Sequence, residues 1–196
     1  MRRRRILFTL TILVLLTFTA AGCGKQLPPQ PKGEVPEYSI IKCEDTSLKN
    51  AKSYTLAIEV PGQPGVDELK KVAQQAAHEL AKEKEFNALS IWFYDYKEYY
   101  GYSICPLGEV TYAPDGSISN AKNIQPGEYD KMSFNYENLQ EKDWSKQLTA
   151  EEVKVWKKYR DKMEQVGAEK ALELVSKETG KSPQEIQQIY SKQSAW

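Results

Sequence analysis

The sequence predicts an α+β fold: an antiparallel or mixed sheet with one main helix on one face, followed by a C-terminal helical tail. Three observations predict it. Short segments of alternating apolar and polar residues recur between Glu37 and Leu139. A single stripe of helical period, Leu69 to Leu80, lies between two of them. From Leu148 onward the pattern becomes helical, with start and stop signals at each segment end.

The elements follow in order. "EYSIIKC" and "SYTLAIEV" read as strands, with "EDTSLKNAK" as the polar turn between them. In the second strand Tyr54, Leu56, Ile58 and Val60 alternate with Thr55, Ala57 and Glu59, so one face is apolar. "PGQPG" breaks the chain, and Asp67 and Glu68 occupy the first helical turn, where the macrodipole favours acids. Leu69, Val72, Ala73, Ala76 and Leu80 define the buried stripe of that helix. His78, the only histidine, lies off the stripe and is expected in solvent.

"ALSIWFYDY" is the next strand, with Leu89, Ile91 and Phe93 on one face and Ser90, Trp92 and Tyr94 on the other. A strand, helix, strand order implies a crossover connection. "GEVTYAPDGSISNA" reads as a hairpin turning at Pro114, Asp115 and Gly116, and "DKMSFNYENL" adds an edge strand.

In the tail, Thr149 and Glu152 of "LTAEEV" form a capping box, with Leu148 and Val153 placed as a hydrophobic staple. Trp156, Tyr159 and Met163 continue that helix face, and Gly167 breaks it before "AEKALELVSKET". Gly180 fits a C′ position. Ser182, Pro183 and Glu185 then read as N-cap, N1 and N3 of a last helix carrying Ile186, Ile189 and Tyr190.

Residues 1–22 have the parts of an export signal: Arg2 to Arg5, the apolar run Ile6 to Leu16, then small residues up to Gly22. The apolar stretch is short of the ~20 residues that span a bilayer comfortably. "AAGC" resembles the lipobox of bacterial lipoproteins, with Ala20 standing where that family usually has Leu. The resemblance implies cleavage before Cys23, lipidation of Cys23 and anchoring of the exported chain to a membrane of the cell envelope. Residues 23–36, with Pro28, Pro29, Pro31 and Pro36, are expected to form an extended tether. The α+β domain then occupies residues 37–140 and the helical tail 141–196.

Removing the leader takes away four arginines and no acid, leaving 23 basic against 27 acidic residues. That balance gives no electrostatic reason to seek nucleic acid, and export removes it as a partner. "ELVSKETGKSPQEIQQIY" superficially resembles a helix-turn-helix. Lys181 stands where that family has an apolar residue, and the would-be reading helix carries no Arg, so a packing hairpin is expected instead. Cys43 and Cys105 are compatible either with a disulfide or with two buried thiols.

No HExxH, CxxC, G-x-S-x-G or phosphate-cradling glycine loop occurs, so neither a metal, another cofactor nor a catalytic residue is assigned. A carboxylate pair drawn from Asp95, Glu98 and Glu109 is the one route to an envelope hydrolase. The compositional anomaly is "IWFYDYKEYYGY", seven aromatics between Trp92 and Tyr102. Period two sends Trp92 and Tyr94 away from the main helix, where the tail is expected to cover that face partly and to take Trp92 into a second core. Tyr96, Tyr99 and Tyr100 are then left at the rim as the candidate binding surface.

The blocks "FNALSIWFYD", "APDGSISNA", "LTAEE" and "SPQEIQQIYSKQSAW" together resemble a small uncharacterised domain family of bacterial envelope proteins. The resemblance implies an α+β body with a helical tail and carries no catalytic residue with it. The expected function is a non-catalytic interaction module, held at the membrane by its lipid and meeting an envelope protein or glycan.

Overall fold

The computed structural model describes residues 26–102 and 104–194. The proposed leader and Cys23 lie outside them. Five strands form one sheet in chain order: β1 (Ser39–Asp45), β2 (Ser53–Glu59), β3 (Ala88–Tyr94), β4 (Glu109–Pro114) and β5 (Met132–Asn135). Only β2 and β3 are parallel, joined through helix α1 (Val66–Glu83); the other neighbours are antiparallel. The sheet is therefore mixed, and the fold is α+β as the alternation predicts.

α1 starts where Glu68 Oε2 accepts the Gly65 N–H at 2.8 Å, and its buried stripe lies on the first sheet face. Leu56, Ile58, Leu89, Ile91, Phe93 and Tyr112 meet Leu69, Val72, Ala76 and Leu80 there in the main core. Phe86, at the turn from α1 into β3, stands edge-on to Tyr54 and Tyr112, with centroids 6.4 Å away in each case.

The tail comprises α2 (Ala150–Val166), α3 (Ala168–Thr179) and α4 (Pro183–Ser194). Its punctuation is as expected. Thr149 Oγ1 accepts from the Glu152 N–H, and Glu152 returns the bond to the Thr149 N–H at 2.7 Å. Gly180 takes the left-handed conformation, φ 72°, that closes α3. Ser182 and Glu185 cap α4 reciprocally, at 2.7 and 3.3 Å. Leu148, Val153, Trp156, Ala171, Val175 and Ile186 form a second core together with Ala57 and Tyr94 of the other sheet face. The helix-turn-helix-like hairpin of α3 and α4 is thus spent on packing against α2.

Two connections differ from the sequence reading. After Asp115 (φ 51°) and Gly116 (φ 69°) reverse the chain, "SISNA" does not return as a strand. Ile118–Asn123 coils as a 3₁₀ segment across the second face. Asn87 holds it there, its Nδ2 donating to the carbonyls of Ala121 and Ile124 at 2.9 and 3.0 Å. Ala121 fits against Ala88 and Ala113, where only small side chains leave room. The vacated edge of β4 is taken by β5, the edge strand read in "DKMSFNYENL".

The second difference concerns the proline-rich stretch and His78. The described part of the stretch lies on α1 rather than extending free. Pro28 is buried, and Leu27, Val35 and Tyr38 pack on the main core. His78 is buried beneath it, its Nδ1 2.7 Å from the Pro28 carbonyl and its Nε2 3.0 Å from Gln30 Nε2. An angular stripe measured against the sheet alone misses this, because α1 is covered from two sides.

Candidate functional site

The aromatic run divides between core and surface, and the division differs from expectation. Tyr94 is buried by the tail, as partial cover requires. Tyr99, expected at the rim, is 2% exposed. The 3₁₀ turn Lys97–Tyr99 swings it inward against the tail, where it stands edge-on to Trp156. Burial pushes its phenol pKa well above the ordinary range. Tyr96 is half-buried and donates its hydroxyl to the Leu148 carbonyl at 3.0 Å. Tyr100 is also half-buried and donates to Glu44 Oε1 at 2.9 Å; that bond holds its pKa up. The candidate set is therefore corrected: Tyr99 belongs to the second core, and Tyr96 and Tyr100 pin the loop to the tail and to β1.

Trp92, expected as core, is the ring left at the surface, 37% exposed. Its place follows from register. Trp92 lies between Ala57 of β2 and Glu109 of β4, and the tail covers Ala57 but stops short of the indole. Beside it opens a pocket of about 420 Å³ lined by Trp92, Tyr94, Tyr100, Gly101, Ile104, Cys105 and Glu109. Sequence periodicity assigns Trp92 the right face. It cannot say how far along that face the tail reaches.

Cys105 lines this pocket as a free thiol, donating toward the carbonyls of Gly108 and Phe93 at 2.8 and 3.5 Å. Cys43 is free as well, and its Sγ lies 3.9 Å from Lys84 Nζ. The disulfide alternative is not realised, for a topological reason. Cys43 sits on edge strand β1 against the α1-side core, whereas Cys105 follows β3, two strand spacings away, ~10 Å. Desolvation pushes the Cys105 thiol up to about 12, so it is a poor nucleophile at neutral pH.

The three acids have separate partners. Asp95 is buried and pairs with Lys142 Nζ at 2.5 Å, while Gln147 Nε2 donates to the same oxygen at 3.0 Å. Glu109 Oε1 accepts from Asn138 Nδ2 at 3.1 Å, and Glu98 lies in the field of Lys154. Asp95 is thus a structural ion-pair partner of the segment leading into the tail. Among the described residues no group of three or more His, Cys, Asp or Glu is placed to hold a metal ion, and no helix is long and apolar enough to cross a membrane.

A mixed five-stranded sheet with α1 on one face, and a three-helix tail covering half of the other, defines the class: an α+β domain with one half-open sheet face. The chain belongs to the family described as Domain of unknown function (DUF4875), whose model matches residues 33–190. That match takes in the sheet, α1 and nearly all of the tail, so the half-open face is part of the family's domain. No curated protein and no solved structure matches the chain.

Proposed function

We propose that the protein is a lipid-anchored module of the bacterial cell envelope that acts by binding, and that its contact surface is the open half of the second sheet face around Trp92. The observation that carries this reading is the indole itself. A large aromatic stands exposed in the middle of a sheet face, beside a pocket, while the other rings of its run are wholly or half buried. An exposed aromatic offers rigid contact area at small entropic cost. Anchoring rests on the leader-like residues 1–22 and on Cys23, which the lipobox resemblance marks for acylation. The partner is an envelope protein or a glycan, and not nucleic acid.

A photo-crosslinking side chain placed at position 92 of the full chain, in its own envelope, tests the reading. A discrete adduct is expected from position 92 and not from exposed Glu169 on α3. Equal labelling at both positions, or none at either, removes Trp92 from the contact surface.

A further inference from the structure

The open half of the second face has a chemistry more specific than exposed aromatic area. The strand register places Glu44, Thr55, Ser90, Thr111 and Asn135 side by side in one row across all five strands. None of the five is buried, although three of them sit on interior strands of the sheet. The neighbouring row on the same face runs Lys42, Ala57, Trp92, Glu109. The hydroxyl row lies between two flanks on this face. Trp92, Tyr100 and Ile104 stand along one side, and the 3₁₀ segment Ile118–Asn123 crosses the alanine patch on the other.

We infer that this open polar row takes a neutral oligosaccharide, lying across the strands with one sugar ring stacked on Trp92; this rests on the binding reading above. The geometry supplies three reasons. First, the row repeats a hydroxyl, amide or carboxylate at each strand spacing of ~4.8 Å, close to the length of one pyranose ring. A sugar chain running perpendicular to the strands then meets a polar group at every residue. Second, the indole face beside the row suits the apolar C–H face of a pyranose, and the row suits its equatorial hydroxyls. Third, the two rows hold the carboxylates Glu44 and Glu109 against the single cation Lys42. Carboxylates accept from sugar hydroxyls and repel uronate or phosphate groups, which selects a neutral chain over an acidic one. A peptide strand is disfavoured by position. The backbone groups of interior strands are already paired in the sheet, so a peptide lying on the face finds none to pair with.

The test titrates the full chain with neutral tetramers of glucose, mannose and N-acetylglucosamine, and with tetragalacturonate as the acidic counterpart. Binding is followed by calorimetry and by indole chemical shifts. At least one neutral tetramer is expected to bind, with tetragalacturonate about tenfold weaker or worse. Trp92→Ala should weaken the neutral tetramer about tenfold, and Ser90→Ala and Thr111→Val severalfold, all three variants remaining folded at the temperature of the titration. The inference is overturned if no neutral tetramer binds, if the acidic tetramer binds equally well, or if the two row variants leave affinity untouched. A protein crosslink at position 92 without any oligosaccharide binding overturns the sugar assignment and leaves the binding surface standing. Failure of both experiments overturns both.

Discussion

Tyr99 meets the indole of Trp156 edge-on, with ring centroids 5.1 Å apart and planes at 74°. Tyr102 meets the same indole from another side, also at 5.1 Å and at 76°. The loop after β3 is therefore fastened to α2 by two aromatic contacts on a single buried ring, and the tail forms one packed unit with the sheet.

The first prediction follows from that contact. Tyr99→Ala deletes a fully buried ring and should destabilise the domain by about 3–5 kcal/mol, as other large core truncations do. Trp92→Ala removes a ring that is more than one third exposed and should cost about 1 kcal/mol or less. Urea unfolding of the two variants checks the order. A larger loss at Trp92 than at Tyr99 would reverse the assignment of core and surface.

Asp95 and Lys142 make the second prediction. Their side chains are only 1% and 3% exposed, so the pair sits outside the class of surface ion pairs that contribute little. Removing one partner leaves the other charged and desolvated. Lys142→Ala should cost about 3–5 kcal/mol. Asp95→Asn keeps the shape and an acceptor but removes the carboxylate charge facing the ammonium, and should cost somewhat less. Equilibrium denaturation reads both. A loss below about 1 kcal/mol in Lys142→Ala would place the pair in solvent.

Cys43 and Cys105 make the third. Both thiols should react with a maleimide in the unfolded, unreduced chain. In the folded chain at pH 8, Cys43 should react first. Burial raises the Cys105 thiol from 9.0 to about 12, a roughly thousandfold lower thiolate fraction. The sign of the linkage follows. Below pH 9 the thiol is neutral in both states. As pH rises from 9 toward 12, the unfolded chain releases this proton first and the folded state loses stability. Cys105→Ala should flatten that alkaline fall. Equal labelling rates for the two native thiols would overturn the prediction.

Much of this architecture is legible in residues of short range. Capping at Thr149 and Glu152, the Gly180 stop and the Ser182 and Glu185 start are local chemistry, and each stands where the sequence places it. The alternation of Leu89, Ile91 and Phe93 with Trp92 and Tyr94 likewise assigns both sheet faces. What escapes is set by contacts distant in the chain. Asn87 captures the carbonyls of Ala121 and Ile124 across more than thirty residues and so replaces the expected hairpin strand. Pro28 covers His78 from 50 residues away. The extent of the tail's cover decides that Trp92 is exposed and Tyr99 buried. No periodicity within "IWFYDYKEYYGY" encodes that distance.

The last prediction concerns the N-terminal segment. Cys23→Ala should abolish acylation and move the full chain from the detergent phase to the aqueous phase, while an unchanged mass and partition would remove the lipid anchor. The docking of Leu27 and Pro28 adds a geometric consequence. Only Gly24, Lys25 and Gln26 separate Cys23 from Leu27, so the two α-carbons are at most ~14 Å apart. An anchor at Cys23 would therefore hold α1 near the bilayer, with Trp92, on the opposite face of the sheet, turned away from it. His78 is the polar clasp of this arrangement, through its contacts with Pro28 and Gln30. His78→Ala should cost about 1 kcal/mol in global stability. Its larger effect should be local, with faster amide exchange and earlier proteolysis between Gln26 and Val35 than in the sheet. Exchange that rises uniformly through the sheet and α1 would instead make His78 an ordinary core residue.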